Sequence, residues 1–136
     1  MTLVLRSWLT SPGNTALSPI WQVKYPSRFE RDALCCDILL PSHETAENPL
    51  RVCLDNIHLD SLPINPSSLH PHQLLIVTSY LRATGHGLVA GDFNPVLPGD
   101  DMLVSANGLL DVWSELHPSE ARFTWEADGD QPFPPN

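Results

Sequence analysis

An aspartate and an asparagine lie two positions apart in the segment GDFNP (residues 91–95), directly after the apolar run 87–90. Open α/β sheets commonly carry their working groups at the carboxyl ends of strands. A carboxylate there can orient or deprotonate a water molecule or reach a hydrated cation, and an amide can hydrogen-bond a phosphoryl oxygen without adding charge. The alternative is structural, because Asp92 and Asn94 can simply build an Asx-type turn after the strand.

His58 ends a second predicted strand and is followed by Asp60 and Ser61. An imidazole titrates near neutrality, so it can relay a proton or stabilise the charge that develops on phosphorus. If the two strand ends meet at one edge of a sheet, His58 lies near Asp92. A lone histidine is more often structural or solvated, and we assign no role to the other five. Trp125 can stack on a base, or it can belong to the core.

The elements that must position these residues are short, because fourteen prolines divide the chain. The apolar run over residues 32–40 predicts a buried strand, and the alternating pattern over 50–59 predicts its antiparallel partner in a hairpin. Residues 1–22 have no sustained periodicity, which predicts an irregular lead-in to a domain over residues 23–136.

A helix is predicted between Pro71 and Ala83, where apolar positions recur at helical spacing and Gly85 follows as a stop signal. The short strand over residues 87–90 comes next, followed by a turn of helix, an irregular segment and a further strand beginning at residues 122–125. A strand, a helix and another strand in succession predict an α/β or α+β fold.

Composition sets bounds on the function. The chain has 136 residues, of which 42% are hydrophobic, enough for one domain with a core. Sixteen acidic residues against seven basic ones give a net charge of −9, which excludes a dense basic surface for nucleic acid. No apolar run approaches the roughly 20 residues of a membrane span, and none fits a secretory signal, so we expect an intracellular protein of the nucleus or cytoplasm. Three cysteines without CxxC spacing predict buried reduced thiols.

Five segments of the chain, taken in order, resemble the endonuclease/exonuclease/phosphatase superfamily of magnesium-dependent phosphodiesterases. They are YPSRFERDALCCDI, IHLDS, HPHQLLIVTSYL, LVAGDFNPV, and NGLLDVWSELHP with FTW, and they run from about Val23 to the end of the chain. The pairing of HLDS with TW is most similar to the branch that contains the 5′-tyrosyl-DNA phosphodiesterases, which release a trapped topoisomerase tyrosine from a DNA 5′ phosphate.

The resemblance implies a role for each candidate residue. Asp92 would position and activate the attacking water and would touch a Mg²⁺ or Mn²⁺ ion weakly and indirectly. Asn94 would contact the scissile phosphate, and His58 would stabilise the transition state. Ser61 would support these residues, and Trp125 would border the substrate groove. The implied partner is a phosphoester, for example DNA or a protein–DNA adduct in DNA repair, and no membrane.

The same resemblance implies a partial four-layer β-sandwich with flanking helices. The family's metal-binding Glu and its final Asp-His pair come from strands outside the matched segments, so the chain is predicted to be the central part of such a domain, truncated at both ends. Two departures, Ile57 in place of Thr or Ser and His70 in place of Arg, predict weaker support around the site.

Three hypotheses follow for the function. The first is a phosphodiesterase or nuclease-like hydrolase domain that binds its cation weakly or not at all in this chain and turns over little by itself. The second is a non-catalytic remnant that binds or regulates through the groove around His58, Asp92, Asn94 and Trp125. The third is a globular α/β domain with coincidental motifs.

Overall fold

The secondary structure is an α+β arrangement, as the sequence predicts. The computed structural model describes residues 15–41, 49–61, 69–95, 97 and 99–120. Within these ranges five strands form a mixed sheet: β1 (Ala16–Leu17), β2 (Trp21–Lys24), β3 (Asp32–Leu40), β4 (Leu50–His58) and β5 (Gly87–Asp92). Three helices accompany it: α1 (His70–Thr84), α2 (Leu103–Ala106) and α3 (Val112–Leu116), with a 3₁₀ turn over Asp100–Met102.

The hairpin of β3 and β4 and the helix α1 confirm the predictions made for them. β3 has the predicted bounds, and it pairs antiparallel with β4 from Ala33 to Leu40, with Cys36 opposite Leu54. α1 extends the predicted helix by one residue at each end and stops at Gly85, whose φ of 79° only glycine adopts without strain. β5 continues two residues beyond the predicted strand and ends at Asp92.

The crossover from β4 through α1 to β5 brings two strand ends to the same edge of the sheet. β5 lies parallel to β4, with Leu54 opposite Leu88 and His58 opposite Asp92. A parallel pair requires a crossover connection, and a helix is the usual one. His58 and Asp92 therefore lie at the ends of two neighbouring strands that run in the same direction.

Residues 15–22, the described part of the segment before Val23, differ from the prediction of an irregular lead-in. β1 and the first half of β2 lie there, and both pair antiparallel with β3. These strands have two and four residues and are separated by Pro19, so they show no periodicity of their own. Their order comes from hydrogen bonds to β3, which a local pattern does not reveal.

Two further predictions concern residues outside the described ranges. The strand predicted to begin at residues 122–125 is one of them, and the substrate-binding role of Trp125 is the other. The described strands belong to one sheet, so a second sheet, which a sandwich requires, is not among the described residues.

The core lies between α1 and one face of the sheet. Leu74 and Val77 of α1 pack against Ala33, Cys35 and Ile57 of the sheet, and all five are at most 2% exposed. On β4 this buried face carries the residues Cys53, Asp55 and Ile57, whereas the opposite face carries Leu50, Val52 and Leu54 and is less buried. The face of β4 that covers the core is therefore not its more apolar one.

Thiols and carboxylates alternate on the buried face of the hairpin. Cys35 lies opposite Asp55, and Asp37 lies opposite Cys53, with all four side chains buried. The cysteines are free, as predicted. Arg51 neutralises Asp37 at 2.6 Å, whereas the Asp55 Oδ1 atom has the Cys53 thiol as a donor at 3.5 Å, and no described group donates to Oδ2.

Burial governs the protonation of this group. It raises the pKa of the Asp55 carboxyl, and hydrogen bonds from the thiols of Cys35 and Cys53 oppose the rise only in part. Burial and the neighbouring carboxylate likewise raise the pKa of the Cys53 thiol to about 12. A thiol held protonated in this way is a poor nucleophile, so these cysteines are structural.

Asp55 is expected to make the folded state less stable as the pH rises. Its pKa is higher in the folded chain than the value of about 3.9 in the unfolded chain, so its stabilising contribution is complete below the unfolded-state pKa. The contribution is lost as the pH rises through the folded-state pKa. Asp55→Asn removes this dependence, so the unfolding free energy of the variant relative to the parent should rise with pH, by at most about 1.4 kcal/mol per pH unit.

Urea unfolding at a series of pH values measures this difference. Glu115→Gln, which replaces an exposed acid on α3, is the matched control and should show a constant difference from the parent. A constant difference for Asp55→Asn as well would contradict a raised pKa at Asp55.

Candidate active site

His58 and Asp92 face each other at the edge where β4 and β5 end. Their side chains approach to 3.8 Å between His58 Nε2 and Asp92 Oδ2. The His58 side chain is 43% exposed and that of Asp92 is 61% exposed, so a ligand can reach both. The structure therefore brings together the histidine and the carboxylate that the sequence placed at two strand ends.

Asn94 forms the Asx-type turn that the sequence left open as the structural alternative. Asp92 Oδ1 accepts a hydrogen bond from the Asn94 N–H at 3.1 Å, and Asn94 has a left-handed φ of 43°. The Asn94 side chain donates from Nδ2 to the Leu59 carbonyl oxygen at 3.0 Å. In this conformation Asn94 ties the loop to the end of β4, and Asp92 Oδ2 is the oxygen that faces His58.

A close approach of two backbones sets the spacing between His58 and Asp92. Gly91 has a φ of 137°, and a Cβ atom built on it would lie 2.0 Å from the Ile57 carbonyl oxygen. The Leu59 N–H then donates to the Asp92 carbonyl oxygen at 2.9 Å, one residue beyond the paired strands. Only glycine leaves room for this contact at the position before Asp92.

Asp60, which the sequence placed beside His58 without a role of its own, holds the turn before β3 against the end of β4. Its carboxylate accepts hydrogen bonds from the Ser27 hydroxyl at 2.5 Å and from the Arg28 N–H at 3.1 Å. Burial by itself would raise the pKa of Asp60, but these hydrogen bonds outweigh it and hold the pKa below its ordinary value. The Gln73 side chain accepts from the Asp60 N–H and donates to the Pro26 carbonyl oxygen at 2.7 Å.

Ser61, to which the resemblance gives a supporting role, lies three residues after His58, and that role stays a prediction. It is half-buried, and no hydrogen bond within the described residues connects its hydroxyl to His58 or Asp92. Trp125, the other predicted substrate-binding residue, lies outside the described residues, so its place in a groove stays a prediction.

His70, where the family pattern has Arg, supports the site more than the sequence predicted. It is 1% exposed, and its Nδ1 atom lies 2.9 Å from Asp100 Oδ2, while its Nε2 atom contacts the Asp60 carbonyl oxygen. Asp100 Oδ2 also accepts from the Leu97 N–H at 2.9 Å. His70 thus connects the start of α1 to the end of β4 and to the loop that follows β5.

The residues around Asp92 do not by themselves fit the divalent cation that the resemblance implies. Mg²⁺ prefers several oxygen ligands in octahedral geometry. Asp92 is the carboxylate whose side chain approaches His58, and its Oδ1 atom is already hydrogen-bonded. In the described ranges no three His, Cys, Asp or Glu side chains converge on a metal-sized site.

Comparison of the sequence with models of known protein families and with curated proteins finds no match. Among the helices of the described residues, none is long and apolar enough to cross a bilayer. The family resemblance therefore rests on the five ordered segments of the sequence and on nothing else.

Proposed function

We propose that this chain provides the phosphoester-binding edge of a phosphodiester hydrolase of the endonuclease/exonuclease/phosphatase type. The observation that carries the proposal is the pair of His58 and Asp92, which are 3.8 Å apart and exposed at the ends of parallel strands. A carboxylate and an imidazole in this arrangement are the groups that hydrolysis of a phosphoester needs for water activation and charge stabilisation.

Each member of the pair has a distinct part in the proposed reaction. Within the described residues no backbone N–H donates to Asp92 Oδ2, unlike Oδ1, so Oδ2 can accept a hydrogen bond from the attacking water and orient it. The imidazole of His58 lies within reach of the same space and stabilises the charge that develops on the phosphoryl oxygens. Asn94 holds the loop in place through Leu59 and so fixes the direction of Asp92.

A divalent cation would neutralise the developing charge on the phosphoryl oxygens when it is bound. Because the described residues do not supply its ligands, no step of the proposal passes through it. The proposed substrate class is a phosphodiester, with a DNA 5′-end adduct as the specific candidate from the resemblance. The chain's charge of −9 favours recognition by a few placed donors over a broad basic surface.

Hydrolysis of bis(p-nitrophenyl) phosphate in the presence of Mg²⁺ or Mn²⁺ tests the proposal. We expect slow turnover by the parent protein and a decrease in kcat/KM of about 100-fold or more in Asp92→Asn, because the variant loses the group that orients water. Glu115→Gln, with an exposed acid far from the pair in sequence, is the matched control and should retain the parent's rate.

Equal rates for the parent and Asp92→Asn would contradict the proposal. The same holds for a parent that hydrolyses no phosphodiester with either cation. In that case calorimetric titration with a dinucleotide tests the alternative of a non-catalytic binding module. Binding to the parent that is lost in Asp92→Asn and in His58→Ala would support this alternative. Binding of equal strength to the parent and to both variants would contradict it.

A further inference from the structure

The side chain of Arg31 contacts the ring nitrogen of His58 that faces away from Asp92. Arg31 Nη1 lies 3.1 Å from His58 Nδ1. A guanidinium group has five N–H donors and no acceptor, and it keeps its charge throughout the working range of pH. Nδ1 must therefore accept this hydrogen bond, so it carries no proton while the contact is made.

The contact decides where the proton of His58 lies. A neutral imidazole with an unprotonated Nδ1 carries its proton on Nε2, which is the atom 3.8 Å from Asp92 Oδ2. Arg31 thus favours this neutral tautomer over the one that carries its proton on Nδ1.

The backbone around Arg31 is held in a way that fixes this contact. The Ser27 hydroxyl accepts hydrogen bonds from the N–H groups of Phe29 and Arg31, at 3.0 and 2.9 Å, while it donates to Asp60. Glu30, the residue before Arg31, has a left-handed φ of 56° and turns the chain toward the start of β3. Arg31 therefore leaves a turn that is tied to Asp60, two residues from His58.

The backbone of His58 is held from the other side. The Tyr25 hydroxyl lies 2.7 Å from the His58 carbonyl oxygen and 2.9 Å from that of Asp32, so its single proton is shared between these two acceptors. With its carbonyl held by Tyr25 and its Nδ1 held by Arg31, the ring of His58 has a defined orientation. Tyr25 and Arg31 both lie in the segment YPSRFERDALCCDI, but the sequence predicted no role for either of them.

We propose that Arg31 is a positioning residue that holds His58 as the neutral tautomer with its proton on Nε2, so that His58 donates a hydrogen bond toward the space beside Asp92. The assignment of the tautomer does not depend on the proposed function. That the acceptor of this hydrogen bond is a phosphoryl oxygen does rest on the proposed function. In that role His58 acts as a fixed donor and does not take a proton from water.

Nitrogen-15 NMR of the histidine rings tests the tautomer directly. The measurement is made at about pH 8, above the usual imidazole pKa of about 6.5. We expect His58 in the full chain to show a protonated Nε2 and an unprotonated Nδ1, without averaging between the two forms. In Arg31→Met both nitrogens should shift toward averaged values, because the donor to Nδ1 is gone. Arg28→Gln is the matched control, since Arg28 belongs to the same turn but its side chain is exposed, and it should leave the spectrum unchanged.

Two results would overturn the proposal. One is a protonated Nδ1 in the parent protein, which needs no variant and so holds even if Arg31→Met does not fold. The other is a His58 spectrum that is the same in the parent and in a folded Arg31→Met or Arg31→Gln variant. Neither readout depends on activity, so a failure of the proposed hydrolysis leaves the tautomer result standing.

If hydrolysis is detected, a kinetic comparison tests the extension to catalysis. We expect Arg31→Met to lower kcat at least about tenfold with little change in KM, because a ring in the wrong tautomer presents no donor to the reacting group. An unchanged kcat alongside an altered tautomer would contradict that extension alone.

Discussion

Gly91→Ala is expected to lower the free energy of unfolding by about 3 kcal/mol or more and to separate His58 from Asp92. The new Cβ would lie 2.0 Å from the Ile57 carbonyl oxygen and 2.8 Å from the Ile57 nitrogen, and both are backbone atoms of the central strand β4. Backbone cannot move aside as a flexible side chain can. Overpacking of this kind costs about 1–3 kcal/mol, and an alanine at a φ of 137° adds about 1–3 kcal/mol of strain.

Urea unfolding followed by circular dichroism measures the effect of Gly91→Ala. Gly99→Ala is the matched control, because Gly99 has a φ of −88° and no heavy atom within 4 Å of its added Cβ. The control should remain within about 0.5 kcal/mol of the parent. A Gly91→Ala variant with the parent's midpoint and slope would show that β5 does not approach β4 as closely as the structure has it.

His70→Ala is expected to lower the free energy of unfolding by about 3–5 kcal/mol, because it removes the imidazole from the buried carboxylate of Asp100 and leaves the Leu97 N–H to compensate for it only in part. Both ring nitrogens of His70 face acceptors, Asp100 Oδ2 and the Asp60 carbonyl oxygen, so alanine removes both contacts and opens a cavity. The contacts join the start of α1 to the end of β4, 10 residues earlier, and to the loop after β5, 30 residues later. We therefore expect the variant to loosen the end of β4 as well as the start of α1.

The same unfolding measurement on two further variants checks the cause. His72→Ala removes an exposed histidine from the same turn of α1 and should change the unfolding free energy by less than about 0.5 kcal/mol. The double variant His70→Ala/Asp100→Asn should lose less unfolding free energy than the two single variants lose together, since both changes break the same interaction. Additive losses, or a His70→Ala variant as stable as the parent, would contradict a coupled His70–Asp100 pair.

Local patterns in the sequence were sufficient to predict the elements that carry the site. The apolar run of β3 and the helical spacing of α1 lie within single segments, and proline and glycine mark their ends. Because a parallel crossover carries two strand ends to one edge, the meeting of His58 and Asp92 could also be predicted. β1 and β2 could not, since their order depends on pairing with β3 and their own patterns are too short.

The contacts that hold the candidate site could not be predicted, because they join residues with no fixed spacing. Arg31 reaches His58 across 27 positions, and His70 reaches Asp100 across 30. A guanidinium before a strand and a histidine at a helix start are ordinary solvated residues by type, and burial by other segments gives them their roles. From the sequence, His70 was predicted to weaken the support of the site. In the folded chain its buried side chain contacts both Asp100 and the Asp60 carbonyl oxygen.

The crossover between β4 and β5 also has a consequence for the order in which the chain folds. The β3–β4 hairpin forms from neighbouring segments, but His58 meets Asp92 only after the whole stretch through α1 has closed on the sheet. Closing such a stretch costs chain entropy before its contacts compensate for it. We therefore expect His58 and Asp92 to come together late in folding, after the β3–β4 hairpin has formed.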